Sequence, residues 1–294
     1  QVYSQARVAV LNAWGQKRTW MPYMVLQDAC YQHTTFYLGL LESLAGMDID
    51  VEFISFDDVR KGNLAQYDVV INGGDADTAF SGGGAWLDAE VQEKVRSFVN
   101  EGGGFIGIGE PTAVLANGRF FQLADVLGVD EEKSFSMSRY KYNRDVCREH
   151  FILSDCEAAV DYNGGVQNVY AFEGAAVLDK RTEDRLGVDI GAFHVKLAVN
   201  TYGKGRAVYL AGYKHSAQNT RMLLRAPLWA AGKENELRRA FSQNPVTECS
   251  YYPECGLYAL VNNSAERAET VFCDINGKET CIALQPYELK WIKA

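Results

Sequence analysis

The sequence predicts an α/β protein, with a mostly parallel sheet over residues 1–243 followed by a small all-β domain over residues 244–294. Three observations predict it. Short apolar runs alternate with amphipathic stretches of helix length through the first two-thirds of the chain, the pattern of βαβ units in a parallel sheet covered on both faces. From Thr247 onward only short strand patterns remain. The 294 residues are 47% hydrophobic, enough for about two domains at roughly 150 residues each.

Taken in order, Arg7 to Leu11 (RVAVL) reads as the first strand. Thr34 to Met47 places Phe36, Leu40, Leu41 and Leu44 on one helical face, and Gly46 ends that helix. Val51 to Phe56 and Asp68 to Asn72 are strands, the second closed by Gly73 and Gly74. Leu87 to Asn100 repeats apolar residues at Leu87, Val91, Val95, Phe98 and Val99, a helix laid on a sheet, and Phe105 to Ile108 is the next buried strand. The signal weakens over residues 134–189. Val166 to Leu178 and Ala192 to Asn200 read as extended, and Gly205 to Ala211 pairs with the latter through the turn at Tyr202, Gly203 and Lys204. Asn219 to Ala231 and Glu234 to Ser242 read as helices. The tail holds strands at Glu248 to Tyr252, Gly256 to Asn262, Thr270 to Ile275, Glu279 to Leu284 and Tyr287 to Ile292. Between two of them, Asn276-Gly277 is a two-residue hairpin signal.

Composition excludes several classes. With 23% charged residues, 27 Gly and 6 Pro, the chain is neither disordered nor collagen-like. No apolar run reaches the roughly 18 residues that span a bilayer, so a soluble protein is expected. A net charge of −9 repels phosphate backbones and anionic lipid, which argues against nucleic-acid and membrane partners. The chain starts at Gln1 with no signal-peptide pattern, and reads as a cut inside a longer chain. Seven Cys without zinc spacing suggest free thiols in a reducing compartment, hence a cytoplasmic location.

Ligands of a parallel α/β sheet sit beyond the carboxyl ends of its strands. Three of the loops there are unusual. Asn12 to His33 is far longer than the usual 2–6 residues, and holds Trp14, Lys17, Arg18, Trp20, Tyr23 and Tyr31. Aromatic rings beside cations suit a sugar face or a domain interface; the alternative is a loop folded over the sheet edge as core. The second loop runs from Gly73 through Asp75, Asp77 and Thr78 to Gly84, and its two carboxylates either bind a cation or sugar hydroxyls or merely cap a turn. The third, Phe105 to Thr112 (FIGIGEPT), has the strand–turn–helix form of a nucleophile elbow. Gly109 and Glu110 stand where a Cys or Ser would be needed, so Glu110 is expected as an acceptor at a helix start, with Pro111 as the first helical residue.

Four tail cysteines, Cys249, Cys255, Cys273 and Cys281, lack the spacing of structural zinc. A two-residue turn at Asn276-Gly277 would pair Cys273 with Thr280 and set Cys281 on the opposite face, leaving buried free thiols. His33, His150, His194 and His215 are too dispersed to be metal ligands.

Val208 to His215 (VYLAGYKH) resembles the strand that delivers the catalytic histidine in class I glutamine amidotransferases, a flavodoxin-like fold. The acid expected two residues after that histidine is replaced by Ala217. With neither thiol nor acid there is no triad: the shape is amidotransferase-like and the chemistry is not.

The blocks VAVLNAWG (8–15), FISFDD (53–58), GDADT (74–78), GGGFIGIGEPTA (102–113) and GRFFQLADVLG (118–128), with YPE (252–254), VNNS (261–264) and PYELKW (286–291), resemble a known family. They look like the 1,3-β-galactosyl-N-acetylhexosamine phosphorylases, also called lacto-N-biose or galacto-N-biose phosphorylases. The resemblance covers essentially the whole chain. It implies a glutamine-amidotransferase-like domain and a C-terminal β domain, with the (β/α)8 barrel that carries the general acid and most sugar and phosphate contacts missing from the sequence. No catalytic residue therefore carries over by position. The implied reaction is inverting phosphorolysis of β-galactosyl-(1→3)-N-acetylhexosamines to α-galactose 1-phosphate, without metal or organic cofactor, and close relatives act on galactosyl-rhamnose. The resemblance also implies a homodimer for the full enzyme. Asn12, Trp14, Arg18, Trp20, Tyr23, Asp75, Asp77, Glu110, Thr112 and His215 are the candidates for substrate or domain-interface contacts. Two other readings stand beside it: a stand-alone binding or oligomerisation module like the amidotransferase-like domain of β-galactosidases, and a degenerate amidotransferase that binds a small amide.

Overall fold

Five parallel strands form the centre of a seven-stranded sheet in the computed structural model, which describes residues 2–14, 37–116, 118–133, 145–154, 156–185 and 188–294. In chain order its strands are β1 (Arg7–Asn12), β2 (Asp50–Ser55), β3 (Val69–Gly74) and β4 (Gly104–Gly109). Between β4 and the last parallel strand lie two short hairpin strands, β5 (Ala113–Ala116) and β6 (Arg119–Phe121), and a small antiparallel pair, β7 (Val129–Glu131) with β8 (Val169–Ala171). The sheet is completed by β9 (Ala176–Arg185), β10 (Val188–Tyr202) and β11 (Gly205–Leu210), in the order β2-β1-β3-β4-β11-β10-β9. Strand β10 alone is reversed, pairing antiparallel with β11 on one side and β9 on the other. The expected turn at Tyr202, Gly203 and Lys204 pairs Tyr202 with Gly205.

Period-two alternation distributes the core to both faces. On one side, Ala9, Leu11, Val70, Phe105 and Tyr209 pack with Trp86 and with Val91, Val95 and Val99. On the other, Val8, Val10, Ile71, Ile106 and Val208 pack with Leu40, Leu44, Met222 and Leu223. The helices are residues 37–45 (α1), α2 (Phe56–Arg60), α3 (Ala89–Asn100), α4 (Ala124–Leu127) and α5 (Ala217–Ala230), of which α1, α3 and α5 supply the helical residues just named. Each of the two long ones starts on a side-chain cap: Asp88 accepts from the Glu90 N–H in α3, and Ser216 from the Asn219 N–H in α5.

The tail has two three-stranded antiparallel sheets facing each other. They are built from β12 (Phe241–Ser242), β13 (Thr247–Tyr252), β14 (Leu257–Asn262), β15 (Ala268–Cys273), β16 (Glu279–Leu284) and β17 (Leu289–Lys293). Orders β12-β15-β16 and β13-β14-β17 enclose Cys249, Tyr258, Leu260, Phe272 and Leu284.

Four expectations are corrected. Glu234–Arg238 is a single 3-10 segment followed by strand β12, where a second helix was expected. The FIGIGEPT segment does not enter a helix: Pro111 and Thr112 form a turn, with Thr112 at φ 56°, that runs into the β5–β6 hairpin. In the β15–β16 hairpin Cys273 faces Glu279, one residue out of the expected register. The Asp274 carboxylate accepts from the backbone N–H groups of Asn276 and Lys278 at 2.8 and 2.9 Å, which stabilises a five-residue loop in place of a two-residue turn. Cys281 then pairs with Val271 and shares the face of Cys273. The thiols are free, but only Cys249 and Cys273 of the four are buried; Cys255 and Cys281 are exposed.

Among the described residues no helix is long and apolar enough to cross a membrane.

Candidate functional site

The carboxyl ends of β3, β4 and β11 meet in a cleft of about 590 Å³ whose walls include Asp75, Glu110, Glu131, Tyr162, Gln167 and Gly212. Its floor is set by the exit from β4. Gly109 takes φ 75°, a left-handed conformation that favours glycine, and turns the chain so that the Glu110 N–H donates to the Gly74 carbonyl at 2.9 Å. The Glu110 carboxylate then accepts from the Ala76 N–H at 2.5 Å, on the loop that leaves β3. Thus Glu110 caps a loop, and not a helix as its sequence context suggested.

Lys133 bridges two carboxylates. Its ammonium pairs with Glu110 and, at 2.7 Å, with Glu131 Oε1. Glu131 is 8% exposed, and burial pushes its carboxyl up to about 8, helped by the Glu110 charge and opposed by Lys133. The Tyr209 hydroxyl, fully buried beneath, donates to the Gly109 carbonyl at 3.0 Å, and its pKa lies well above the usual range because of burial and the charges of Glu131 and Glu110. The arrangement is a rigid polar floor with acceptors and one ammonium, and it presents no nucleophile at the β4 turn.

The sequence candidates fall into five groups. Asp75 and Glu110 come together in this cleft. Asn12 ends β1, and Trp14 and Asp77 lie on adjoining loops: Asn12 Oδ1 accepts the Trp14 N–H at 3.0 Å, and the half-exposed Trp14 ring stands edge-on to Phe80 at 5.6 Å. Asp77 is exposed at φ 59° in the loop after β3. Thr112 is fully buried, its Oγ1 accepting from the Leu123 N–H at 3.3 Å, so it is a structural residue. Arg18, Trp20 and Tyr23, with most of the Asn12–His33 loop, lie outside the described residues.

His215 belongs to a second, smaller cleft of about 230 Å³ between α1 and the tail. There its Nδ1 lies 2.8 Å from Ser43 Oγ and its Nε2 3.7 Å from Glu42. Composition suggests a Ser-His-acid triad; the environment does not. Ser43 is fully buried inside a helix, and its Oγ receives the Tyr213 hydroxyl at 2.7 Å and that of Thr220 at 3.1 Å. A hydroxyl closed off in this way has no path to a substrate carbonyl.

Sequence reasoning missed Glu131, Lys133 and Gln167. In DEEK (130–133) the residues look like an ordinary solvated charge run, and only the pairing of β7 with β8 buries Asp130 and Glu131.

Comparison with known proteins places this architecture. The family model described as the lacto-N-biose phosphorylase central domain matches residues 7–235, and that of the C-terminal domain matches residues 241–292. A 1,3-β-galactosyl-N-acetylhexosamine phosphorylase of Lachnoclostridium phytofermentans is 45% identical over 291 residues, 98% of this chain and 39% of that protein. The protein of the same name from Bifidobacterium longum subsp. longum is 36% identical over 323 residues, 99% of this chain and 42% of that one. A D-galactosyl-β-1→4-L-rhamnose phosphorylase is 35% identical, over 88% of this chain and 33% of that protein. The chain thus spans about two-fifths of the length of the N-acetylhexosamine phosphorylases it matches. Among solved structures, a β-galactosidase from Rahnella sp. R3 aligns with a TM-score of 0.54 at 19% identity, over 100% of this chain and 42% of that one. The GH42 β-galactosidase Gan42B aligns at 0.51 and 17% identity, over 98% of this chain and 40% of that one, so the fold is shared.

Proposed function

The chain belongs to the lacto-N-biose phosphorylase family, and from that premise we propose that it is the non-catalytic central and C-terminal part of an inverting galactoside phosphorylase. The observation that carries the reading is the match along nearly the whole chain to proteins more than twice its length. In this reading a (β/α)8 barrel supplies the general acid and the β-galactoside and phosphate contacts. Phosphate attacks the anomeric carbon from the face opposite the departing N-acetylhexosamine, giving α-galactose 1-phosphate, and neither metal nor organic cofactor takes part. The full enzyme is a cytoplasmic homodimer.

Residues 1–243 are proposed as a glutamine-amidotransferase-like domain and 244–294 as a β domain, with the β12–β15 pairing reaching across the division. In support, the turn after β4 stands where an amidotransferase carries its thiol and His215 follows β11, while Glu110 is already engaged by Ala76 and Lys133. The barrel docks at the carboxyl edge of the sheet. Trp14, 57% exposed beside that edge, is the described anchor, and Asn12, Asp75 and Asp77 belong to the same rim.

Phosphorolysis of lacto-N-biose by this chain, by a barrel domain expressed separately from a relative, and by both together tests the proposal. The expected result is no turnover with the chain alone, and a stable complex with the barrel that Trp14→Ala weakens by about 2 kcal/mol or more while leaving the fold intact. Turnover by the chain alone, abolished by a substitution within it, overturns the proposal.

A further inference from the structure

We propose that a second copy of this chain packs on the outer face of the β13-β14-β17 sheet, with Leu289 and Trp291 at the centre of the contact. An antiparallel sheet that lays one face on a core ordinarily turns polar side chains to water on the other. The inner face of this sheet meets the core of the tail through Cys249, Tyr258 and Leu260. The outer face is apolar as well. The register sets Leu257, Ala259 and Val261 of β14 beside Lys293, Trp291 and Leu289 of β17, and Tyr252 of β13 beside Leu257. Apolar side chains on both faces are the pattern of a sheet covered on both sides. Yet Trp291 is 54% exposed and Leu289 52%. The Trp291 and Tyr252 rings lie 5.8 Å apart across β14, so the largest side chains of the face are held against each other and lose little freedom when a partner arrives.

Position selects the partner. The β13 side of this face is already covered by the α/β unit, where Ser250 Oγ donates to Asp48 at 3.1 Å. That contact, and the Tyr3 N–H donating to the Tyr251 carbonyl at 2.8 Å, lie just before β2 and β1 begin, so the tail sits at the amino end of the parallel sheet. Trp14 lies at the other end, beyond the six residues of β1, a span of about 20 Å. A barrel docked on the carboxyl edge leaves the open part of the tail face uncovered, and a second copy is the occupant that fits; this choice of partner rests on the reading proposed above. Lys290 and Lys293 are exposed on β17 and guard its free edge against strand addition, so the partner comes onto the face and does not extend the sheet. A two-fold axis lets each copy offer the same patch and closes the pair.

Sedimentation velocity of the chain over a concentration series, with the parent and the Leu289→Lys, Trp291→Lys and Trp14→Ala variants, tests this. The expected result is a reversible dimer for the parent and for Trp14→Ala. Each lysine variant should raise the dimer dissociation constant by about thirtyfold or more, with the far-ultraviolet spectrum unchanged. Both side chains are half-exposed, and either variant that folds gives the readout. The inference is overturned if the parent is monomeric up to about 100 μM, or if the folded lysine variants dimerise as the parent does. Unfolding of both variants would make these side chains core and overturns it too. So does a separately expressed barrel domain, or lacto-N-biose, that binds the parent and not the lysine variants, since the face would then belong to that occupant. The readout is mass in the absence of substrate, so a failure of the dimer and a failure of phosphorolysis are told apart.

Discussion

Asn72, on β3, accepts the backbone N–H of Thr112 on its side-chain oxygen at 2.9 Å, so one strand fixes the turn by which its neighbour leaves the sheet. The same amide donates to the Leu11 carbonyl at 3.2 Å and the Phe80 carbonyl at 3.3 Å, joining three strand ends beneath the cleft. Asn72 is wholly buried, and its removal strands those partners away from water. Asn72→Ala should cost about 2–3 kcal/mol in urea unfolding. A loss below 0.5 kcal/mol on the order of surface changes would show that the three groups find other partners.

Glu110 should matter more than a helix cap would. Its carboxylate holds both the loop after β3 and Lys133, with the side chain 15% exposed. Glu110→Gln is expected to destabilise by about 1–2 kcal/mol, since a charge-assisted bond becomes neutral and the Lys133 ammonium loses one counter-charge. Differential scanning calorimetry of the pair checks it. In a reconstituted enzyme, a thousandfold loss of turnover by a well-folded Glu110→Gln would instead make this residue part of the active site.

Glu131 makes stability pH-dependent in an unusual direction for a carboxyl. The native state holds its proton up to about 8, whereas the unfolded chain releases it near 4.5. Between those values the native state binds more protons, so this contribution is complete below pH 4.5 and is lost as pH rises towards 8. Asp48, half-buried and raised to about 7 by desolvation, adds a contribution of the same sign. Unfolding free energy should therefore fall across this window, by at most about 1.4 kcal/mol per pH unit for each group. Glu131→Gln should flatten the slope and gain on the parent as pH rises; identical pH profiles would contradict the assignment.

Alkylation should separate the thiols by position. Cys147, Cys255 and Cys281 are exposed and should react in the native protein, while Cys249 and Cys273 should react only after unfolding. Burial also raises the Cys249 thiol pKa above its ordinary value, lowering its thiolate fraction further. Peptide mapping by mass spectrometry distinguishes the two groups, and early labelling of Cys249 would count against the packing of the tail.

What the sequence revealed depended on the range of the interaction. Strands β1, β3, β4 and β11 are continuous apolar runs buried on both faces, so their character is written locally. The β15–β16 register is not, because the Asp274 side chain outcompetes the Asn276-Gly277 signal. The elbow reading failed for a similar reason: Pro111 is compatible with a helix start, but Arg119 pairs back on Ala116 and commits the segment to a hairpin. At the cleft, Asp75 and Glu110 were legible because they follow strand ends. Glu131 and Gln167 were not, since their burial depends on β8 meeting β7 from about forty residues away.

The crossing from α5 into the tail behaves as a weld. Arg221 of α5 donates to the carbonyls of Ser242, Asn244 and, at 3.4 Å, Thr247, while Ser242 Oγ lies 2.8 Å from Thr270 Oγ1. One guanidinium thus grips the chain on both sides of the point where a flexible joint would be placed. A torque applied to the tail passes directly into α5 and the strand beneath it, and the two parts turn as one lever.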